Sequence, residues 1–293
     1  MRIIWIALIV AGTGLLNAQA KPAKPTYPPT IEGAKELVYK EASESELKLW
    51  MFQPDDWKPS DSRPAILFFF GGGWNAGSPT QFVPHAEYLA ERGMVAFVAD
   101  YRVASRHGTK AKDCVADARD AMKYVRAHAA ELGVDPKRLA SGGGSAGGHI
   151  AACLGAIEGD PRSKADAMAL FNPACVLAPI DGLAPWGEDR SAELAERMGM
   201  DPKALSPAHH VTSEAAPCII FHGKADDTVP YATSKAFAER MNAAGVNCVL
   251  HGYEGEGHGF FNAGREPAEG NEPVLPQTLD QLDAFLVELE WLD

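Results

Sequence analysis

The stretch Ser141-Gly142-Gly143-Gly144-Ser145-Ala146-Gly147-Gly148-His149 holds the best candidate in this chain for a side-chain nucleophile. Within it, Gly143-Gly144-Ser145-Ala146-Gly147 spells G-x-S-x-G. That spacing holds a serine on a sharp strand-to-helix turn with its hydroxyl clear of the sheet. Glycine two positions either side lets neighbouring backbone pass where a Cβ would clash. A glycine-rich loop carrying an ordinary serine would read the same in isolation, so the partners of the serine decide the matter.

A serine hydroxyl is a weak nucleophile at neutral pH and needs a base, an orienting carboxylate and donors for the developing oxyanion. Gly71-Gly72-Gly73-Trp74 ends an apolar run and leaves backbone N–H groups free to face negative charge. The oxyanion donors are therefore expected to be the N–H groups of Gly72, Gly73 and Ala146. His222-Gly223-Lys224-Ala225-Asp226-Asp227 supplies the acid, Asp226, with Asp227 beside it as the rival. Gly255-Glu256-Gly257-His258-Gly259-Phe260 supplies the base, His258, on a loop flexible enough to bring an imidazole inward. Trp74, Trp186 and Phe260 are candidate pocket walls, against the commoner fate of an aromatic in the core.

The elements that must carry these residues follow from hydrophobic pattern. Residues 36–40 and 47–52 alternate as edge strands, and 65–70 is a continuous apolar run suited to a strand buried on both faces. A helix over 82–92, a strand over 94–100 and an amphipathic helix over 115–132 lead to a strand over 135–140 that enters the serine turn. Beyond it come strands at 165–171, 218–221 and 247–253 and helices at 233–243 and 277–292. Residues 172–211 form an insertion suited to a lid or pocket wall, with one clear helix at 191–198. Strands alternating with helices at crossover spacing predict an α/β fold, with a mostly parallel central sheet and helices on both faces. In such sheets ligands bind at the carboxyl ends of the strands, where all the candidate residues fall.

Length and composition narrow the class. The 293 residues suffice for one large α/β domain, expected over 35–293. A net charge of −12 argues against a general nucleic-acid binder, which needs a basic face. Arg2, the apolar run Ile3–Leu16 and the small-x-small Ala18-Gln19-Ala20 read as a signal peptide over 1–20. A proline-rich leader over 21–34 follows. The mature chain is expected to start at Lys21, to be periplasmic or secreted, and to have no membrane partner. The five cysteines, Cys114, Cys153, Cys175, Cys218 and Cys248, permit disulfides without dictating a pairing, and none has metal-site spacing.

Taken together, Gly71-Gly72-Gly73-Trp74, Asp100-Tyr101-Arg102, Gly143-Gly144-Ser145-Ala146-Gly147-Gly148, His222-Gly223-Lys224-Ala225-Asp226 and Gly257-His258-Gly259-Phe260 resemble the motifs of α/β-hydrolases. The order serine, aspartate, histidine is that superfamily's order. The chain is similar to bacterial esterases of the hormone-sensitive-lipase type and to secreted acetyl-xylan and feruloyl esterases, from Ala65 to the C-terminus. The resemblance selects Asp226 over Asp227 and implies a structural role for Asp100-Tyr101-Arg102. One departure stands out: Phe70 occupies the position where the family usually has a histidine bracing the triple glycine.

The resemblance implies a serine carboxylesterase acting on short acyl esters, acetyl or feruloyl-type groups on carbohydrates foremost, with neither metal nor organic cofactor. A prolyl-oligopeptidase-type peptidase would need room for a large accessory propeller. A lipase would need a more apolar insertion than 172–211. A catalytically silent binding protein would have lost a member of the triad.

Overall fold

The apolar runs of this chain pair into one eight-stranded sheet. The computed structural model describes residues 27–42, 45–186 and 191–293. The expected signal peptide and the first part of the leader lie outside them. In chain order the strands are β1 (Lys35–Ala42), β2 (Ser45–Phe52), β3 (Arg63–Phe69), β4 (Val95–Ala99), β5 (Val134–Gly144), β6 (Ala167–Phe171), β7 (Cys218–Gly223) and β8 (Cys248–Tyr253). Their spatial order is β1-β2-β4-β3-β5-β6-β7-β8. Only β2 pairs antiparallel with its neighbours, β1 and β4; every other pairing is parallel. The mostly parallel sheet expected from strand–helix alternation is the sheet observed.

Eight helices are described: α1 (Val83–Glu91), α2 (Ala104–His107), α3 (Ala111–Ala127), α4 (Ala129–Leu132), α5 (Ala146–Ala156), α6 (Ser191–Met198), α7 (Tyr231–Ala243) and α8 (Val274–Glu288). Side chains alternate along β3, which is why both faces of the sheet need cover. Ala65, Leu67 and Phe69 join the core with α3, α5 and α7, whereas Ile66 and Phe68 join the core with α1 and α8. Phe68 is fully buried and stacks on Phe82 with ring centroids 5.0 Å apart.

Two boundaries differ instructively from expectation. β5 runs on through Gly142, Gly143 and Gly144, beyond the expected end at 140. Glycine is a poor strand former in isolation. Here the ladder with β3 continues because a Cβ on Gly142 would lie 2.6 Å from the Phe68 ring. The expected helix over 115–132 starts earlier and divides into α3 and α4, and Gly133 ends α4 at φ 63°. Within the insertion, α6 occupies its expected residues, and Leu194 and Met198 bury it against the core that α3 serves.

Candidate active site

Ser145 sits between the end of β5 and the start of α5 with φ 55° and ψ −117°. A non-glycine residue held there carries strain of about 1–3 kcal/mol, which surrounding contacts must offset. Two fixings do so: the Ser145 N–H donates to Phe171 O at 2.9 Å, and Ser145 O accepts from His149 N at 2.9 Å. The flanking glycines are sterically required. A Cβ on Gly147 would stand 2.0 Å from Phe69 O, and one on Gly143 would stand 2.5 Å from the same oxygen.

The loops after β7 and β8 bring Asp226 and His258 to this serine. Ser145 Oγ–H donates to His258 Nε2 at 3.0 Å, and His258 Nδ1–H donates to Asp226 Oδ2 at 2.7 Å. A carboxylate only accepts, so the proton of the neutral imidazole lies on Nδ1 and Nε2 is left as the base. Asp226 Oδ1 accepts from Thr228 N at 2.9 Å and Val229 N at 2.8 Å. His222, fully buried, places Nε2 3.3 Å from Asp226 Oδ2. Burial alone would raise the Asp226 pKa, but these hydrogen bonds, from His222 and His258 first, hold it well below the usual carboxylate range. Asp227, the rival, is exposed and, among the described residues, accepts only from Thr228 Oγ1 at 3.2 Å.

The glycine loop after β3 lies against the same turn, where a Cβ on Gly71 would stand 3.4 Å from Ser145 Cβ. Among the described residues the N–H groups of Gly72, Gly73 and Ala146 have no protein acceptor. Gly71 N–H is already taken, donating to Gln81 Oε1 at 2.6 Å. Gly72 turns at φ 122°, where a Cβ would meet Ala76 O at 2.2 Å. The departure at Phe70 leaves the loop braced by other means. The Phe70 ring stacks on Tyr101 with centroids 4.1 Å apart, and Tyr101 Oη–H donates to Phe70 O at 2.6 Å. On its far side, Trp74 Nε1–H donates to His149 Nδ1 at 3.2 Å, and His149 Nε2–H donates to Leu205 O at 2.8 Å. Burial lowers the His149 pKa to about 4, so this link stays neutral at physiological pH.

The aromatic candidates fare differently. Phe260 is a correction: it is 2% exposed and packs in the core against Tyr253 and Phe261, so it walls no pocket. Its side of the loop turns toward α8, where the apolar gain is larger than at the solvent edge. Trp186 is half-buried with its indole N–H committed to Val176 O at 2.9 Å. Trp74 is mostly buried, but with Gly73 it borders a surface depression of about 230 Å³ rimmed by Lys110, Glu196 and Arg197. Among the described residues, no cluster of three or more histidine, cysteine or acidic side chains is placed to hold a metal ion.

Three positioning residues escaped the sequence reading. Gln81 Nε2–H donates to Asn262 Oδ1 at 2.9 Å, and Asn262 Nδ2–H donates to Gly259 O at 2.8 Å, which ties the glycine loop to the histidine loop. Asn172, buried at φ 36°, accepts from Gly259 N at 3.3 Å and so links the end of β6 to the same loop. No motif marks any of them. The asparagine's left-handed backbone is the only signal, and it is visible only in three dimensions.

Comparison with known proteins identifies the fold family. A family model described as alpha/beta hydrolase fold matches residues 66–262. The chain is 31% identical over 223 residues to Esterase LipC of Mycobacterium tuberculosis, which covers 69% of this chain and 54% of LipC. It spans about half the length of the leading curated relatives it matches. The native structure of esterase 2 from the planctomycete Thermogutta terrifontis superposes with a TM-score of 0.84 at 50% identity, covering 92% of this chain and 97% of that one. The butyrate-bound form of that esterase matches with a TM-score of 0.84 at 49% identity, covering 92% and 99%.

Proposed function

The chain belongs to the α/β-hydrolase fold family, and from that premise we propose that it is a serine carboxylesterase cleaving short-chain acyl esters. One observation carries the reading: the continuous hydrogen-bonded run Asp226–His258–Ser145 ends beside three N–H groups that lack acceptors among the described residues. In this mechanism His258 Nε2 takes the Ser145 proton as Oγ attacks the ester carbonyl. Asp226 orients the ring and stabilises the imidazolium. The N–H groups of Gly72, Gly73 and Ala146 stabilise the tetrahedral oxyanion. His258 then protonates the departing alcohol, and water, activated the same way, releases the acid.

A short acyl group is the substrate preference we assign. Butyrate is bound in the similar Thermogutta esterase 2, and the depression beside Gly73, which neither Ser145 nor His258 lines, carries Lys110, Glu196 and Arg197 on its rim. The same rim suits a hydroxylated alcohol, which favours acetyl or feruloyl-type esters of carbohydrates over lipids. The N-terminal pattern of Arg2, Ile3–Leu16 and Ala18-Gln19-Ala20 supports export and a substrate met outside the cytoplasm.

The test is hydrolysis of p-nitrophenyl acetate, butyrate and palmitate by wild type and Ser145→Ala. Turnover of the short esters that falls by about 10⁵–10⁶ in the variant is expected. Palmitate as the best substrate would replace the short-ester reading with a lipase. Activity that survives Ser145→Ala would remove the serine from its role. Release of acetate from acetylated xylan tests the carbohydrate alcohol, and a mature N-terminus at Lys21 tests export.

A further inference from the structure

Outside the Ser145 site, two buried thiols among the described residues lie in direct contact. We infer that Cys218 and Cys248 form a disulfide that clamps together the two strands delivering Asp226 and His258. The two residues are register partners on the adjacent parallel strands β7 and β8. Their Sγ atoms lie 2.8 Å apart, with both side chains buried. Neighbouring strands stand about 4.8 Å apart, inside the roughly 4.4–6.8 Å between Cα atoms that a disulfide spans. Bond formation therefore asks for side-chain rotation and little movement of the backbone.

The other cysteines lack such a partner. Cys114 Sγ–H donates to Arg102 O at 3.1 Å, and Cys153 Sγ lies 3.3 Å from His149 Nε2. Cys175 makes no sulfur hydrogen bond among the described residues, although the Cys153 and Cys248 thiols are near enough to push its pKa up. The position of the pair gives the crosslink a purpose. β8 is the last strand of the sheet, hydrogen-bonded on one side only, and most of its residues are half-buried. Cys218 opens the strand that leads to the Asp226 loop, and Cys248 opens the strand that leads to the His258 loop. A bond between them fixes the register on which the 2.7 Å Asp226–His258 contact depends.

The oxidant is a disulfide, either a protein thiol–disulfide oxidoreductase or oxidised glutathione. One cysteine thiolate attacks a sulfur of that disulfide and expels one thiol, giving a mixed disulfide. The second cysteine thiolate then displaces the remaining thiol. Two protein S–H bonds and the oxidant's S–S bond are lost, and one protein S–S bond and two free thiols result. Burial pushes the Cys218 thiol well above its ordinary pKa, so exchange belongs to folding, before the strands are covered.

The test is independent of the esterase reading. The full chain is refolded from urea in a mixture of oxidised and reduced glutathione, then denatured in iodoacetamide without reductant, digested and weighed. A Cys218–Cys248 linked peptide, two hydrogens lighter than its parts, with Cys114, Cys153 and Cys175 alkylated, is the expected result. Five alkylated cysteines, or a link through any other cysteine, overturns the proposal. Refolding in reductant instead of the glutathione mixture should also lower the wild-type Tm by about 5 °C and leave that of Cys218→Ala/Cys248→Ala unchanged. A wild type refolded with reductant present throughout that still melts at the Tm of the protein refolded in glutathione would show that no clamp exists.

Discussion

Asp226 differs from its neighbour Asp227 by environment alone. Asp226 is enclosed by two backbone N–H groups, His222 and His258, whereas Asp227 faces solvent. Its depressed pKa keeps it ionised, so it can hold the Nδ1–H tautomer of His258 as the proposed mechanism requires. Asp226→Asn retains the shape but offers an amide where an acceptor is needed. That variant is expected to lose roughly 10³–10⁴ in kcat on p-nitrophenyl acetate, as in other triads. Asp227→Asn should stay within about twofold, since an exposed carboxylate contributes little. Equal losses in the two variants would mean that the acid has been misassigned. The fully buried His222 reached the same cluster through the chain's own geometry: its Nε2–H donates to Val229 O at 2.8 Å and its Nδ1 accepts from Ser234 Oγ at 2.7 Å.

At the level of elements, the site depends on loops from distant strands keeping a common spacing. The run from Gly71 N–H through Gln81 and Asn262 to Gly259 O joins the loop after β3 to the loop after β8. Gln81→Leu removes both of its bonds and leaves the Gly71 N–H without its partner. A lost bond of this kind costs about 1–3 kcal/mol in stability. For a positioning residue the larger sign is kinetic: kcat should fall roughly tenfold with KM nearly constant, because the donors are displaced most where transition-state charge develops. Gln81→Glu, which preserves the acceptor to Gly71, should recover part of that loss. A variant with lowered Tm and unchanged kcat would reduce Gln81 to a packing role. Phe70 belongs to this scale too, since its stacking on Tyr101 and the Trp74–His149 link brace the glycine loop without the usual histidine.

For the whole molecule, burial of neutral imidazoles sets a pH limit. His85 is fully buried among Phe68, Phe82, Phe171 and Phe261, neither ring nitrogen finds a hydrogen-bond partner among the described residues, and burial lowers its pKa to about 3. His149 is lowered to about 4 by burial. The unfolded chain, with a histidine pKa near 6.5, binds these protons first. Stability is therefore lost as pH falls from about 6.5 toward the folded values, by roughly 2 kcal/mol per histidine at pH 5. Asp100 works the other way: burial raises its pKa to about 6, so its contribution grows as pH falls through that value. His85→Phe keeps the aromatic volume and removes one titration. Urea melts at pH 7 and pH 5 should show a smaller acid loss in that variant than in wild type, and equal losses would exclude His85 as a source.

The elements and the chemistry-bearing residues could be read largely from local pattern. The buried run before Gly71, the glycine spacing around Ser145, and the order of serine, aspartate and histidine all depend on steric and periodic rules that act over a few residues. The α/β alternation extended those rules to the sheet. Partnership needed the folded chain, because the contacts involved cross long stretches of sequence that no local rule spans. Gln81 meets Asn262, Cys218 meets Cys248 and Asn172 meets Gly259 only after strand order has been set. Phe260 shows the same limit from the other side: its neighbours in sequence line the site, yet its ring packs with Tyr253 and Phe261. Which face a loop aromatic takes follows from the apolar surface waiting for it, and that surface exists only once α8 has docked.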